Sequence, residues 1–434
     1  MSKSAPRALM IAAPGSGAGK TTITLAIIRA LRNAGVSVIS AKSGPDYIDP
    51  QFHSEASGKA CVNLDAWAMP SEQIQGLATH QPHDADIMLV EAAMGLFDGA
   101  ADNTGSAADL SSILSIPIIL VIDCAKQAQS VAALVSGFAH FRPDIRIAGL
   151  ILNKVGSARH GTMLQDALKS LDIPIIGIVH RHQDLNLPER HLGLVQAQEH
   201  NALDSFLNKA AALVGHALDL ELLQDIAAPH VRARLKNDLP PLGQHMAIAR
   251  DDAFSFIYPH QLDGWHRNGS TLSFFSPLNN EGPDRDCDAI FLPGGYPELH
   301  AGELSEADTF RAAIGNAAEK RTLIYGECGG YMALGQTLTD AEHRTHRMLG
   351  LLPLSTSFAT RKLSLGYRRL TPLSGLPWQG MMTGHEFHYA TIATEESRSR
   401  LFSAEDASGQ KLADMGHQRD NIMGSFAHII ACDI

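Results

Sequence analysis

A glycine-rich segment near the N-terminus contains the first residues that could perform chemistry. The sequence PGSGAGKTT (14–22) follows a short apolar run and precedes a helical stretch, TITLAIIRALRNAG. Backbone N–H groups of such a turn can surround a phosphate, and the dipole of the following helix favours negative charge. The spacing departs from the usual phosphate-loop pattern because Pro14 stands at the first glycine position. The candidate nucleotide-binding residues are Gly17, Gly19, Lys20, Thr21 and Thr22.

Phosphoryl transfer at this segment would need a cation, a metal and an acid. We expect Lys20 to reach the β- and γ-phosphates of ATP, and the Thr21 hydroxyl to hold Mg²⁺. Enzymes of this kind also place a carboxylate near the metal. Three acidic residues that follow apolar runs are candidates for that role: Glu91 at the end of DIMLVEA, and Asp46 and Asp49 in KSGPDYIDP.

The segment IYGECGGYM (324–332) is the second candidate site. Small residues flank Cys328 and permit the sharp turn that presents a nucleophile at the end of a strand, as GxSxG does for serine. Cys328 is therefore the candidate nucleophile, and the backbone N–H of Gly329 is a candidate oxyanion donor. A second glycine-rich strand end, LPGGYPELHA (292–301), offers another donor at Gly295.

A cysteine nucleophile needs a base that converts its thiol to thiolate. We prefer His428 in IMGSFAHIIA and expect it at the end of the last strand of the chain, from which it could reach Cys328. His385 and His388 in TGHEFHY are alternatives. Apolar residues (429–431) follow His428 directly, so the local sequence does not indicate a Cys–His–acid triad.

Buried strands must position both sites. The first half of the chain alternates continuous apolar runs with longer amphipathic stretches, as in ALMIAA, VSVISA, DIMLVEA, PIILVID, IAGLILN and IPIIGIV. Such runs are typical of parallel strands that are covered on both faces by crossover helices. We therefore predict an α/β fold with a doubly wound sheet, whose strand ends gather the candidate residues at one edge. Asn153 ends one run, where its amide could read an adenine edge.

The second half is predicted to be a separate α/β domain. Strands are expected at MAIARD, STLSFFS, DAIFLPG and RTLIYGE, with a helix at 303–319. A polar, basic stretch with a double proline separates the halves, and we take its core, 231–245, as a linker. The predicted domains are 1–230, which binds ATP, and 246–434, which contains the cysteine site.

Composition narrows the function classes. A net charge of −11 over 434 residues argues against nucleic-acid binding through phosphate neutralisation. The five cysteines include no CxxC pair, which argues against a zinc knuckle and suits a reducing cytoplasm. Nowhere do about 18 apolar residues occur in a row, so we expect neither a membrane span nor a signal peptide.

Several motifs taken together resemble the cobyrinate and hydrogenobyrinate a,c-diamide synthase family. They occur in family order through almost the whole chain: GSGAGKTT, KSGPDYIDP, NLDAW, MGLFDG, LPERHLGL, DDAFSF, LPGGYPELHA, YGECGGYM, LGYR and TGHEFHY. The resemblance implies a dethiobiotin-synthetase-like ATP domain joined to a class I-type glutamine amidotransferase domain. It also implies ATP- and L-glutamine-dependent amidation of the a- and c-carboxylates of a corrinoid polycarboxylate. A homodimer is compatible with it.

The resemblance also implies roles for particular residues. It makes Cys328 the nucleophile and His428 its activating base. It implies Mg²⁺ held by Thr21, Asp46 and Glu91. It implies corrinoid contacts from Tyr47, Ile48 and Asp49, and it strengthens Asn153 as an adenine contact. The chain departs from the family where Ala92 replaces a glycine after Glu91, and where AFSFIY replaces AFNFYY.

Two other functions stay open at this point. Cobyric acid synthase has the same domain order but amidates different carboxylates, and the GPDYIDP and LPERHLGL stretches favour the a,c-enzyme. Partition-type ATPases also combine a deviant phosphate loop with GKTT, but they need no thiol nucleophile. The sequence does not decide whether the corrin carries cobalt, and we slightly prefer the metal-free substrate.

Overall fold

The computed structural model describes residues 6–81, 85–185, 202–235, 239–373, 375–396 and 399–432, and the backbone of 189–190 and 193–194. The chain divides into two compact units, Met1–Lys236 and Asn237–Ile434. This division falls inside the segment 231–245 that we expected to be a linker. Half of the LPERHLGL motif (187–194) lies outside the described residues, and only the backbone of the other half is described.

The first unit is built on a parallel sheet. Its strands are β1 (Arg7–Ala12), β2 (Val38–Ser43), β3 (Val62–Leu64), β4 (Ile87–Glu91), β5 (Ile118–Asp123), β6 (Ile147–Val155) and β7 (Ile175–His180), with the short β8 (Glu189–Arg190), β9 (Gly193–Leu194) and β10 (Ala228–Pro229). The order across the sheet is β3-β2-β4-β1-β5-β6-β7, and β10 pairs antiparallel with β1. Each long apolar run of the sequence forms one of these parallel strands, whereas β3, inside the NLDAW motif, was not predicted.

Helices connect these strands. They are α1 (Lys20–Asn33), α2 (Asp49–Ser57), α3 (Ser71–Thr79), α4 (Ala107–Leu114), α5 (Val131–His140), α6 (Ala158–Leu168), α7 (Leu203–Ala217) and α8 (Leu220–Ile226). The apolar face of α1 is buried against the sheet and against α7, which encloses the core beneath the phosphate loop. Burial of this continuous apolar face holds the start of α1 at the carboxyl edge of the sheet.

The second unit contains a smaller parallel sheet and a large antiparallel part. Its strands are β11 (His245–Ala249), β12 (Thr271–Phe275), β13 (Ala289–Leu292), β14 (Leu323–Glu327), β15 (Thr337–Thr339), β16 (Thr345–Arg347), β17 (Leu354–Ser357), β18 (Ser364–Pro372), β19 (Met382–His388), β20 (Thr391–Glu395), β21 (Phe402–Asp406), β22 (His417–Arg419), β23 (Ile422–Ser425) and β24 (His428–Cys432). The parallel core has the order β12-β11-β13-β14-β23, with β22 added antiparallel. Two further sheets, β16-β15-β17-β20 and β21-β18-β19-β24, were not predicted.

The helices of the second unit are α9 (Pro259–Arg267), α10 (Ala301–Glu306), α11 (Asp308–Glu319) and α12 (Gly329–Leu334). The single helix predicted at 303–319 is therefore wrong: Ala307 adopts a non-helical conformation and divides it into α10 and α11. Among the described helices, none combines the length and the apolar character that crossing a bilayer would require.

The two ends of the segment expected to be a linker pack within different units. Val231 donates its backbone N–H to Leu114, and the N–H of Ala233 bonds to the Thr79 hydroxyl, both within the first unit. Within the second unit, Leu239 joins the apolar core, and the indole of Trp378 donates to the Pro240 carbonyl. Each unit thus fixes one end of this segment by hydrogen bonding and burial.

Candidate active sites

The glycine-rich turn of the first unit has the conformation that a phosphate loop needs. Gly17 and Gly19 have φ values of 80° and 81°, a left-handed backbone that favours glycine. A Cβ atom on Gly19 would lie 2.5 Å from the Asn153 amide nitrogen, so a larger residue would also collide with β6. Lys20 begins α1, and its Nζ donates to the Met94 carbonyl at 2.9 Å. The MGLFDG motif therefore contacts the loop directly.

Glu91 lies at the centre of a buried hydrogen-bond network beside the phosphate loop. One oxygen of its carboxylate accepts the Thr21 hydroxyl at 2.6 Å and the Lys42 ammonium at 2.9 Å. The other lies 2.6 Å from Nε2 of His53. Glu91 and His53 are fully buried, and Lys42 also pairs with Asp49 at 2.5 Å. Neither Lys42 nor His53 stood out in the sequence, because only the fold brings β2, α2 and β4 together.

Opposite charges decide the ionisation of this network. Burial disfavours the charge on Glu91, but Lys42 and His53 outweigh that effect and hold the pKa of the carboxyl well below its usual range. Burial alone would lower the pKa of His53, yet Glu91 raises it to about 10. Asp49 and Glu91 likewise raise the pKa of Lys42 despite its burial. The network is therefore ionised at neutral pH.

Asp46 lies nearby, but its pKa is shifted in the opposite direction to that of Glu91. Burial and the neighbouring Asp49 raise the pKa of its carboxyl to about 6. The same carboxyl accepts the backbone N–H of Ile48 at 2.7 Å, which shapes the GPDYID turn before α2. Asp46 and Asp49 both line a cavity of about 750 Å³ that the phosphate loop also lines.

The three residues expected to contact a substrate differ in placement. Asp49 begins α2 and holds Lys42. Tyr47 is half-buried on the turn, whereas the Ile48 side chain packs into the apolar core of the unit. Any contact from Ile48 to a ligand would therefore have to come from its backbone.

Asn153 and its neighbours form the opposite wall of the same cavity. The Asn153 amide donates one N–H to the Ala18 carbonyl at 2.8 Å and accepts the backbone N–H of Lys154. Its second N–H is suited to an acceptor on a purine edge. Lys154 bonds to the Gly17 carbonyl and to Asp123, which further fixes the loop. The hydroxyl of Thr22 contacts the Leu185 carbonyl at 3.3 Å.

These residues fit a magnesium ion in part. Thr21 and Asp46 line the cavity with oxygen atoms, the ligands that Mg²⁺ prefers. Glu91 is fully buried, and its oxygens already contact three donors. Within the ranges that the structure describes, no cluster of three or more His, Cys, Asp or Glu side chains is arranged to hold a metal on its own. The set therefore suits an ion whose other ligands are phosphate oxygens.

Cys328 occupies a sharp turn between β14 and α12. Its φ is 46°, which places a non-glycine residue in the left-handed region. Glycines permit the turn because a Cβ on Gly330 would lie 1.9 Å from the Leu292 carbonyl, and one on Gly326 would lie 2.8 Å from Gly330. The structure thus has the predicted strained turn at Cys328, and the role of this residue as nucleophile stays a prediction.

The two predicted oxyanion donors lie side by side. A Cβ on Gly329 would lie 3.0 Å from the backbone nitrogen of Gly295, so these strand ends touch. The DDAFSF motif supports them: the Ala253 carbonyl packs against Gly295, and Phe256 donates its N–H to the Gly294 carbonyl. Two backbone N–H groups beside a nucleophile can stabilise an oxyanion.

His428 lies near the glycines of the predicted oxyanion site, but at the beginning of a strand and not at the end of one. The expectation that it ends the last strand is wrong, because β23 ends at Ser425 and His428 begins β24 in another sheet. Cys328 donates its backbone N–H to Ser425 at 2.8 Å, and the His428 ring packs against Gly294. The nucleophile turn, the oxyanion strand and His428 therefore converge.

Glu327 is a functional candidate that the sequence reasoning missed. It precedes Cys328, and its Oε2 lies 3.7 Å from Nδ1 of His428. Its Oε1 accepts the backbone N–H of Ile429 at 3.1 Å and the Tyr325 hydroxyl at 3.3 Å. Apolar residues follow His428 in the sequence, whereas Glu327 belongs to β14, the strand that leads to Cys328.

The other two histidines have different surroundings. His385 pairs with His428 across β19 and β24, and the rings stack at 5.0 Å. Burial lowers the pKa of His385 to about 3, so its side chain is uncharged where it stacks on His428. His388 stacks on Phe426 at 3.9 Å, and its Nδ1 contacts the Ala390 carbonyl.

Burial shifts the pKa values of Cys328, His428 and Glu327. It raises the pKa of the Cys328 thiol, with further contributions from nearby carboxylates. It lowers the pKa of His428 well below the usual value. It also raises the pKa of Glu327 to about 8. All three shifts favour the uncharged form, so a thiolate at Cys328 would need a cationic partner such as a protonated His428.

Both halves match known protein families. A model described as CobQ/CobB/MinD/ParA nucleotide binding domain matches residues 9–195, and one described as CobB/CobQ-like glutamine amidotransferase domain matches residues 245–433. A hydrogenobyrinate a,c-diamide synthase from Brucella abortus is 53% identical over 432 residues, which cover 98% of each chain. Its counterpart from Rhizobium meliloti is 53% identical over 422 residues, covering 97% of this chain and 98% of the relative. This chain belongs to the hydrogenobyrinate a,c-diamide synthase family.

Family membership decides between a partition ATPase and a ligase. The nucleotide-binding family includes MinD and ParA, so the first unit alone would not separate a partition ATPase from a ligase. The amidotransferase domain and the full-length match make this chain an amide-forming ligase that uses glutamine. A relative from Mesorhizobium japonicum, 47% identical over 433 residues and 98% of each chain, bears the same name.

The phosphate loop yields a first prediction. Gly19→Ala should weaken ATP binding, because a left-handed backbone costs a non-glycine residue roughly 1–2 kcal/mol, about tenfold in affinity. The clash with Asn153 adds to this loss. Gly15→Ala is the matched control, since nothing lies within 4 Å of a Cβ there. Calorimetric titration with ATP measures both, and equal affinities would contradict the assignment.

Proposed function

We propose that this enzyme amidates the a- and c-side-chain carboxylates of hydrogenobyrinic acid, with ATP as activator and L-glutamine as nitrogen donor. Curated relatives of matching length bear this activity in their names. The observation that carries the proposal is the presence of two complete sites in one chain, a phosphate loop with its buried charge network and a cysteine turn with two oxyanion donors. A cytoplasmic location is part of the proposal, since ATP and glutamine are supplied there.

The first unit activates the carboxylate. A carboxylate oxygen of the substrate attacks the γ-phosphorus of ATP, the bond to the bridging oxygen breaks, and ADP and an acyl phosphate result. In this proposal Lys20 leaves the Met94 carbonyl and binds the β- and γ-phosphates, while Asn153 contacts the adenine. Tyr47, Asp49 and the backbone of Ile48 are proposed to contact the corrinoid.

Magnesium would be held by Thr21 and Asp46 together with phosphate oxygens, and it would neutralise charge on the transferred phosphoryl group. Glu91 would not contact the ion itself. It accepts a hydrogen bond from the Thr21 hydroxyl and so orients a lone pair of that hydroxyl oxygen. Lys42 lies in the cavity wall beside Asp49 and adds a second fixed cation. These cations favour the close approach of a carboxylate to a triphosphate.

The second unit releases ammonia. The Cys328 thiolate attacks the carboxamide carbon of glutamine, the N–H groups of Gly329 and Gly295 stabilise the oxyanion, and His428 returns the proton to the departing ammonia. Water then hydrolyses the thioester to glutamate and restores the thiol. Ammonia attacks the acyl phosphate, which yields the amide and inorganic phosphate.

Glu327 serves as a positioning residue in this scheme. Its bond to the Ile429 N–H fixes the start of β24, and its second oxygen faces Nδ1 of His428. An ionised Glu327 would stabilise the imidazolium that forms when His428 takes the thiol proton. In this proposal the acid of the site comes from the residue before the cysteine.

Substrate choice is tested by a direct comparison. We expect ATP- and glutamine-dependent formation of a diamide from hydrogenobyrinic acid, and slower turnover of cobyrinic acid. Products are separated by liquid chromatography and identified by mass. Turnover of neither acid would refute the proposed substrate, and preference for cobyrinic acid would place the enzyme on the cobalt-containing route.

Because the two sites lie in different domains, substitutions in them should affect glutamine-dependent and ammonia-dependent amidation differently. Cys328→Ser should abolish glutamine-dependent amidation and leave ammonia-dependent amidation intact, because carboxylate activation does not use the thiol. Lys20→Ala should remove amidation with either nitrogen source. Both variants are assayed with glutamine and with ammonium chloride. Equal loss of the two activities in Cys328→Ser would contradict the two-site scheme.

The pH dependence of Cys328 alkylation tests the base and its partner. His428→Ala and Glu327→Gln should both move the inflection to higher pH, because each removes stabilisation of the thiolate–imidazolium pair. Glutaminase turnover should fall about 100-fold or more, while ammonia-dependent amidation survives. Tyr325→Phe, which loses only the outer bond to Glu327, is the matched control for Glu327→Gln. A shift in His388→Ala but not in His428→Ala would show that the base is misassigned.

A further inference from the structure

The oxyanion donor assigned to Gly295 belongs to a peptide between two glycines. Glycine permits more than one orientation of such a peptide plane, because no Cβ atom restricts the backbone on either side. A trans peptide is planar, and its C=O and N–H point in opposite directions. All peptide bonds among the described residues are trans. The direction of the Gly294 carbonyl therefore determines whether the Gly295 N–H faces the nucleophile.

Two hydrogen bonds hold this strand end from different sides. The Pro293 carbonyl accepts the N–H of Gly330, which lies on α12, at 3.0 Å. The next carbonyl, that of Gly294, accepts the N–H of Phe256 at 3.0 Å. Because this second bond directs the Gly294 carbonyl towards Phe256, the Gly295 N–H points away from Phe256.

The Gly295 N–H is consequently available to a ligand. Its nitrogen lies 3.0 Å from the position that a Cβ atom would take on Gly329, the residue after Cys328. Among the residues that the structure describes, no atom accepts a hydrogen bond from this N–H. A free donor beside a nucleophile stabilises an oxyanion, whereas the carbonyl oxygen of a turned-over peptide would repel it.

The side chain of Phe256 contacts the same strand end and the proposed base. Its ring packs edge to face against Tyr296, the residue after Gly295, at a centroid distance of 5.1 Å. The His428 ring lies 6.3 Å from it on another side. Aromatic rings at these separations attract each other, so the ring helps to hold Phe256 beside the cysteine site.

Asp251 fixes the turn that leads to Phe256. Its Oδ1 accepts the N–H of Ala253 at 3.0 Å, and its Oδ2 accepts the N–H of Leu278 at 2.9 Å. The Phe254 N–H bonds to the Asp251 carbonyl at 3.0 Å, and the Phe254 side chain lies in the apolar core. These contacts hold the Phe256 N–H in one position relative to the rest of the unit.

We propose that Phe256 is a positioning residue of the glutaminase reaction. Its backbone N–H selects the orientation of the Gly294–Gly295 peptide in which the oxyanion donor faces Cys328. Since the two glycines permit both orientations, the hydrogen bond from Phe256 determines which one is populated. This role rests on the proposed function of Cys328 as the nucleophile.

Replacing Phe256 by its α-hydroxy acid in the full chain provides the test. The change Phe256→phenyllactate removes the N–H and keeps the ring. An ester oxygen then faces the Gly294 carbonyl, and their repulsion favours the turned-over peptide. We expect the glutaminase kcat to fall roughly 10-fold, the upper value of one uncharged hydrogen bond, while the KM for L-glutamine stays unchanged.

The aldehyde analogue of glutamine, in which CHO replaces the carboxamide, measures the oxyanion site directly. The Cys328 sulfur adds to the aldehyde carbon, the C=O double bond becomes a single bond, and the thiol proton passes through His428 to that oxygen. The oxygen of the reversible hemithioacetal occupies the oxyanion position. Its inhibition constant should therefore rise in Phe256→phenyllactate by the same factor by which kcat falls.

Phe254→phenyllactate is the matched control. It makes the same chemical change in the same turn and removes an N–H···O bond of the same length, the one to Asp251, which does not involve Gly294. The inhibition constant of the aldehyde should stay near the wild-type value in this variant. Ammonia-dependent amidation and the pH profile of Cys328 alkylation should be unchanged in both variants, which shows that the chain is folded and the thiol unaltered.

Two outcomes would overturn the positioning role. One is an unchanged inhibition constant in Phe256→phenyllactate, and the other is an equal rise in both ester variants, which would show a general loosening of the turn. Failure of the proposed function gives a different result, since Cys328→Ser would then retain glutaminase activity.

Discussion

The first unit depends on one buried carboxylate. Glu91 attracts Lys42 from β2 and His53 from α2, and it accepts the hydroxyl of Thr21 at the start of α1. A buried ion that loses its partner destabilises proteins by about 3–5 kcal/mol, so these elements are coupled through a single charge. The phosphate loop, the GPDYID turn and β4 are held in register by this coupling. The phosphate loop and the GPDYID turn therefore share one electrostatic centre.

The second unit achieves convergence by close packing instead of charge. Gly330 touches Leu292, Gly329 approaches Gly295, and Gly294 faces the His428 ring. Any Cβ at these positions would separate strands that must touch. Both units nevertheless obey one rule, because the carboxyl ends of parallel strands gather residues distant in sequence at a single edge. The rule explains why each site combines residues from several motifs.

The sequence predicted those features that depend on continuous patterns. Long apolar runs identified the parallel strands, because a strand that is buried on both faces is apolar at every position and is easily recognised in the sequence. Strands such as β18, whose residues are mostly half-exposed, carry no such pattern and were missed. The sharp turn at Cys328 and its closeness to the LPGGYPELHA strand end were predicted because glycine spacing encodes such a turn.

Contacts between distant segments could not be read in this way. Lys42, His53 and Glu327 acquire their partners only when strands and helices are brought together, and nothing in their local sequence marks them. His428 was expected at the end of a strand, whereas it begins β24, and its role as the base stays a prediction. Its neighbours Gly294 and His385 come from separate parts of the chain, so the ring's environment is a tertiary property.

The backbone of Cys328 has a consequence for the evolution of this domain. A non-glycine residue with φ of 46° is strained by roughly 1–2 kcal/mol, whereas glycine would adopt the same turn without strain. Selection for folding alone would therefore drive this position towards glycine, and in the proposed mechanism it is the chemistry of the thiol that opposes this drift. A copy of the gene released from its biosynthetic role would be expected to lose its nucleophile before it loses its fold.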